Sequence, residues 1–367
     1  HQPPLSNQSR LDGGSRDHAS RHIFGGGGGI FLILLLAAFL RFHALAQDLR
    51  FQADEALFAT FARNAALNGQ WLFPGTLDKP PLTLYAMALS MSFAARGTSA
   101  TLLDFDARQG EFAARVPNTF ASLLLVAVTY ALAKRLTVGS NTQKRTAKAQ
   151  RRKGGWGDRG YLLLAALMMA CSPLLLAFSA SAFTDMLMLL GMTGALWMAA
   201  AQRPLWAGMW LAFGFASKQQ ALYYAPLVLG MLYLAGTQRA MPLRYHLYAL
   251  LRFLLPLLIV TALLLLWDAA RAQDTGLFAL ASANNNPEGL VPLRDIPARI
   301  GAWLSYGGLL LGLPLLTGGL LLWALLAFIA RPSRMDALLW GFVILYSAAH
   351  WLILFNIYDR SLLLLLP

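Results

Sequence analysis

Long apolar runs recur along this chain and leave it few ways to fold in water. The run IFLILLLAAFLRFHALA (30–46), with the glycines before it, approaches the ~20 residues that cross a bilayer core. Similar runs lie at about 112–133, 160–179, 184–201, 205–235, 249–267, 307–330 and 338–356, and the fourth of these reads as two short spans joined near Lys218. Roughly nine complete spans are expected, all helical, because an isolated strand cannot satisfy its backbone in lipid. Composition agrees: 57% of the residues are hydrophobic and 13% charged, where soluble domains carry roughly a quarter charged. The first run is followed by further spans and by no small-residue cleavage site, so it reads as a span and not as a cleavable signal peptide. The chain starts without Met, and SLLLLLP (361–367) stops inside what reads as another span, so both ends are expected to continue.

The net charge of +13 is unevenly placed. A dense basic loop, AKRLTVGSNTQKRTAKAQRRKGGWGDRG (133–160), separates two spans. Arg10, Arg16 and Arg21 in the N-terminal tail, Arg239, Arg244 and Arg252, and Arg331 and Arg334 fall on the same side if the first span runs inside to outside. The positive-inside rule makes that side cytoplasmic. The basic loop suits anionic lipid, and it lacks the interleaved aromatics of a nucleic-acid surface. No nucleic-acid partner is therefore expected.

Residues 1–29 read as a flexible cytoplasmic leader, and 30–367 as one transmembrane domain. The GGGGG that ends the leader has no preceding strand and no following Gly-Lys-Ser/Thr, as a phosphate loop would require. The NQS triplet (7–9) matches a glycosylation acceptor but sits on the cytoplasmic side. Two long loops, about 47–111 and 268–306, face outward in this topology. The first holds two amphipathic helices, ADEALFATFARNAALNGQW and DKPPLTLYAMALSMSFAARG, expected to lie in the interface plane. The second holds a helix near 295–305. Cys171 is the only cysteine, so no disulfide or cysteine metal site can form within this chain.

The ionisable residues gather at the outward boundary. Asp54 and Glu55 follow the first span, Asp78 and Lys79 share its outer loop, and Asp185 opens a later span. Lys218 and Asp359-Arg360 sit at outer turns. Each has a plain structural reading: Asp54, Asp78 and Asp185 suit helix N-caps, and Lys218 and Arg360 can snorkel to headgroups. Their convergence favours a site, since ionisable groups at membrane depth cost about 2–3 kcal/mol each and mark pathways or function. His43, His246 and His350 follow no metal-ligand spacing, and no Gly-x-Ser-x-Gly elbow appears.

The order of these motifs carries a resemblance. Asp-Glu after the first span, DKPPL, ARVPN (114–118), TDMLML, SKQQALYYAPL and YDRSLLLLLP together resemble the GT-C membrane glycosyltransferases. The similarity is strongest to bacterial relatives of the dolichyl-phosphate-mannose protein mannosyltransferases and to the lipid A aminoarabinose transferases. It covers nearly the whole chain after residue 29. The resemblance implies an all-α polytopic fold that takes a sugar from a polyprenyl phosphate and passes it to a glycan, lipid or protein acceptor. The reaction would run at the extracytoplasmic face of the plasma (inner) membrane. Asp54 matches the family's catalytic Asp, with Glu55 and Asp185 as supporting acids. The phosphate leaving group needs cations more than a proton, and Lys79, Lys218 and Arg360 supply them. A carboxylate taking the acceptor's proton fits Asp54, and direct displacement would invert the anomeric carbon. Asp78 stands where some relatives place an acidic metal contact, which allows a divalent metal without requiring one. The chain departs from the family in two places: it ends before the family's last spans, and SKQQ replaces a common Lys-Gly. The rival class, a transporter or flippase, predicts charges near mid-bilayer and similar halves, and this sequence shows neither. A non-catalytic scaffold gives no reason for the acid cluster.

Overall fold

The computed structural model describes residues 28–95, 106–142, 156–237, 241–285, 289–353 and 359–365. The leader up to residue 27, the NQS triplet and the centre of the basic loop lie outside them. Among the described residues the architecture is entirely helical, apart from a bridge between Leu290 and Ile353. Four helices have the length and apolarity of a span: α1 (Gly28–Leu45), α4 (Ala107–Thr142), α10 (Leu243–Ala270) and α14 (Arg334–Leu352). The segment after α1 contributes α2 (Ala53–Asn68) and α3 (Leu82–Ala95) where two helices were expected. Phe31, Leu32, Leu35 and Phe39 stand exposed along α1, as do Leu258, Leu263 and Leu266 along α10. Apolar surface on that scale would be costly in water and is ordinary in lipid. This is a multi-span membrane protein.

The remaining runs break more often than the sequence suggests. Run 160–179 becomes α5 (Trp156–Cys171) and α6 (Pro173–Ser179), bent by 53°. Pro173 has no N–H to give the Met169 carbonyl one turn back, so the ladder fails there. Arg41, near the C-terminal end of α1, fills the gap. Its Nη2 donates to Met169 O and its Nη1 to Ala170 O, each at 3.0 Å, and its Nε donates to Ser122 Oγ at 2.8 Å. The guanidinium thus meets the negative end of α5. The run at 307–330 differs as well. α12 (Ile296–Leu311) overruns the helix expected near 295–305 and ends at Gly312 with φ 82°, where α13 (Pro314–Ala330) departs at 93°. The run at 205–235 splits where two short spans were expected, into α8 (Pro204–Ser217) and α9 (Ala225–Thr237), joined after Lys218 by a 3-10 turn, Gln219–Tyr224. With α7 (Asp185–Ala200) at 16 residues, these fall short of the ~20 needed to cross alone. Among the described residues, by length and composition, the expected nine complete spans become four, or up to six if each bent pair counts as one.

α7 is the core of the bundle, with nearly every residue buried. It packs against α4 and α8, and the last approach is backbone to backbone. A methyl group added at Gly191 would lie 2.6 Å from the Gly214 Cα, so only glycine allows this crossing. α7 and α8 run antiparallel, which brings the first residue of α7 and the last of α8 to the same end. α11 (Leu277–Asn285) follows α10 in the chain.

Candidate active site

The site starts at the entry to α2. Gln52 caps this helix, and Glu55 completes a capping box by accepting from the Gln52 N–H at 2.9 Å. Asp54 is therefore not the cap that its position suggested. Glu55 also takes on a longer-range task. Its other oxygen accepts from the Ala182 N–H at 2.7 Å and meets Arg115 Nε of α4 at 3.4 Å. Both partners of that ion pair are buried, and Arg115 also lies over the Phe51 ring. A carboxylate so fully engaged is a strut. It joins α2 and α4 to the segment entering α7.

That segment is held from α4 as well. Asn118 Nδ2 donates to Ser181 O at 2.7 Å and to Phe183 O at 2.5 Å, and Thr119 Oγ1 donates to Ser179 O. Asp185 follows, 1% exposed. α8 ends at Lys218, whose extended backbone (φ −159°, ψ 132°) breaks the helix. The antiparallel crossing sets Lys218 Nζ 2.6 Å from Asp185 Oδ1, both side chains buried. Asp185 is the counterion of Lys218, and its N-cap reading gives way because Thr184 holds the cap position. The headgroup-snorkelling reading of Lys218 fails for the same reason.

Asp78 and Lys79 arrive on a loop that α10 clamps. Arg271, at the C-terminal end of α10, donates to the carbonyls of Phe73 and Gly75, pairs with Asp268 and lies over Trp267. Phe73 and Gly75 carry positive φ (47° and 113°), a turn in the chain that a clamp must hold. Trp267 Nε1 donates to the Tyr85 hydroxyl, which donates to Trp71 O, each at 2.7 Å. Beyond the turn, Lys79 Nζ lies 2.6 Å from Asp78 Oδ2, and Asn284 of α11 donates to the same oxygen at 3.3 Å. Gln219 Nε2 donates to the Asp78 carbonyl at 3.1 Å. Burial works against ionising Asp78, but the Lys79 ammonium and these hydrogen bonds together hold its carboxyl below the usual aspartate value.

The final 3-10 segment, Asp359–Leu365, closes the cluster. Arg360 Nη1 lies 3.0 Å from Asp54 Oδ2, and its guanidinium lies over Phe183. Lys79 and Arg360 are both within electrostatic reach of Lys218. All seven residues singled out in the sequence therefore converge on one end of the bundle, as three acid–base pairs with Glu55 beneath them. The pairs differ in access: Asp54 is 51% exposed in its side chain and Arg360 24%, whereas the Asp185 and Lys218 side chains are buried. Asp78, occupied by Lys79 and Asn284, is a poor metal ligand. Among the described residues no three His, Cys, Asp or Glu side chains gather as a metal-binding set, so the donor set does not fit a divalent cation.

The sequence missed several supporting residues. Arg115 and Asn118 lie inside the quoted ARVPN motif, and Gln219 inside SKQQ, so their neighbourhood was visible although their roles were not. Arg271 and Asn284 carry no local signal. Their partners lie 196 to 206 residues away along the chain.

No protein-family model matches the chain, and no curated protein does. Among solved structures, ArnT from Cupriavidus metallidurans bound to undecaprenyl phosphate is similar, with a TM-score of 0.63 at 14% identity. The match covers 93% of this chain and 58% of that one, so the chain spans little more than half the length of the ArnT structure. The likeness is one of fold. The chain has an ArnT-like GT-C fold.

Proposed function

We propose that this chain is the membrane domain of a glycosyltransferase that moves a sugar from a polyprenyl phosphate to an acceptor. The acceptor is a glycan, lipid or protein at the extracytoplasmic face of the plasma membrane. The fold's similarity to a structure bound to undecaprenyl phosphate supports a polyprenyl-phosphate donor. The observation that carries the reading is the Asp54–Arg360 pair, the most open of the three in the cluster. A donor phosphate competes with Asp54 for Arg360, because a guanidinium grips two phosphate oxygens in parallel. Lys79, like Arg360 within electrostatic reach of Lys218, offers a second cation. Exchange of Arg360 from carboxylate to phosphate releases Asp54 as a base at the moment the donor is in place.

The reaction follows from that exchange. Asp54 takes the proton of an acceptor hydroxyl. The acceptor oxygen forms a bond to the anomeric carbon from the side opposite the phosphate. The bond from that carbon to the phosphate oxygen breaks, and its electron pair leaves on the phosphate, which Arg360 and Lys79 stabilise. The configuration at the anomeric carbon inverts. Glu55 acts by holding Asp54's helix against the entry to α7, and it is not a second base.

Asp54→Asn tests the assignment. The amide keeps the size and cannot take a proton, so transfer from a synthetic polyprenyl-phosphate hexose is expected to fall at least about a hundredfold. Near-normal transfer by a folded Asp54→Asn protein removes Asp54 as the base. Mass spectrometry of envelope glycans from cells with and without the intact gene reads out the activity itself.

A further inference from the structure

Two buried oxygens in the cluster accept no hydrogen bond from any described residue: Asp185 Oδ2 and Gln219 Oε1. Buried acceptors are almost always satisfied, so each such atom calls for a partner. The orientation of the Gln219 amide is fixed, because its Nε2 donates to the Asp78 carbonyl. The other oxygen of Asp185 is taken by Lys218 at 2.6 Å. Gln220 Oε1, on the next residue in the same 3-10 turn, and Asn118 Oδ1, on α4 at the entry to α7, are buried acceptors of the same kind. The sequence reading placed Lys218 on the donor phosphate, and these atoms argue against it. Phosphate oxygens only accept, so a phosphate set against Asp185 and Gln219 would oppose acceptor to acceptor and add charge beside a buried carboxylate.

We infer that Asp185, Gln219 and Lys218 form a subsite for the hydroxyl groups of the donor sugar, apart from the phosphate position at Lys79 and Arg360. This rests on the glycosyltransferase reading above. Hydroxyls fit where phosphate does not. Each donates one hydrogen, which Asp185 Oδ2 or Gln219 Oε1 accepts, and its oxygen can accept from the Lys218 ammonium. Lys218 balances Asp185, so the subsite is neutral overall and matches an uncharged polyhydroxyl ring. A site built to hydrogen-bond a hydroxyl rejects an analogue that lacks it strongly, since its own buried groups are left unpaired. The subsite therefore selects the sugar, and its selection resides in the 3-10 turn after α8.

The test uses the full chain in nanodiscs and two classes of lipid: undecaprenyl phosphate without sugar, and undecaprenyl phosphates carrying mannose, glucose or galactose. Dissociation constants are measured by native mass spectrometry for the wild type, for Gln219→Met, and for the double variant Asp185→Asn with Lys218→Met. The double variant removes both buried charges together, so neither is stranded. For the hexose lipid that the wild type binds best, both variants are expected to weaken binding about tenfold or more, while binding of undecaprenyl phosphate changes by less than about twofold. Equal weakening of both lipids would put these residues on the phosphate and overturn the inference. Unchanged binding of both would make them an internal brace and overturn it equally. A wild type that holds undecaprenyl phosphate no less tightly than every hexose lipid also sinks the subsite. A wild type that binds neither class and transfers no sugar removes the glycosyltransferase reading instead.

Discussion

Glu55 accepts from Gln52 and Ala182 and pairs with Arg115, while its neighbour Asp54 faces Arg360. One helical step separates a structural carboxylate from an accessible one, and buried partners decide which is which. Arg115→Met strands the buried Glu55 charge, which costs about 3–5 kcal/mol. A matching drop in the thermal midpoint is expected, whereas a silent substitution would mean the pair bears no weight. Lys79 and Arg360 answer a different question. Losing one charged hydrogen bond to the donor phosphate costs about 1.5–3 kcal/mol, so Lys79→Ala should lower donor efficiency roughly ten- to a hundredfold. Arg360→Lys should also be harmful, since one ammonium cannot grip two oxygens. Unchanged donor kinetics in both variants would take them out of the site. The sequence made the seven charged residues legible because charges stand out in an apolar chain. It could not show how they pair, because Asp54 with Arg360 and Asp185 with Lys218 are chosen by helix crossings. It offered no trace of Gln219 as a partner, since an amide in an outer turn is ordinary.

Helices in this protein are stopped and restarted by proline and glycine, and the freed carbonyls find side chains elsewhere. Arg41 serves the break at Pro173. Arg41→Leu leaves the Met169 and Ala170 carbonyls without that donor, each at about 1–3 kcal/mol. A clear loss of thermal stability in detergent is expected. Pro173→Ala returns an N–H to this turn, so the double variant should regain part of the loss. Strict additivity of the two changes would rule out the coupling. Most apolar runs were legible to within a few residues, as were the two helices after α1, but the run at 112–133 stops nine residues short of Thr142 and the run at 307–330 spans parts of two helices. The breaks were less so. Ser172-Pro173 and Gly312-Leu313-Pro314 lie inside runs whose hydropathy never falters, and hydropathy is blind to a missing N–H.

At the scale of the molecule, the charge asymmetry sets a testable orientation. In a Cys171→Ser background, Gly69→Cys in the first outer loop should react with an impermeant thiol reagent from outside, and Arg145→Cys in the basic loop should not. Labelling of position 145 from outside would invert the topology and move the cluster to the cytoplasmic face. The all-helical fold was legible because lipid forbids the alternatives. The number of crossings was not, because α7, α8 and α9 are too short to be counted by length and are buried against one another.

The pair that joins Asp54 to Arg360 spans 306 residues of chain. At a synthesis rate of about 5–20 residues per second, some 15–60 s separate the appearance of its two ends. During that interval the early carboxylate is already in the membrane without its guanidinium. A nascent chain thus carries no assembled centre until its late segment has been inserted. On the proposed function, the ribosome's progress acts as a clock that withholds transfer from partly made protein.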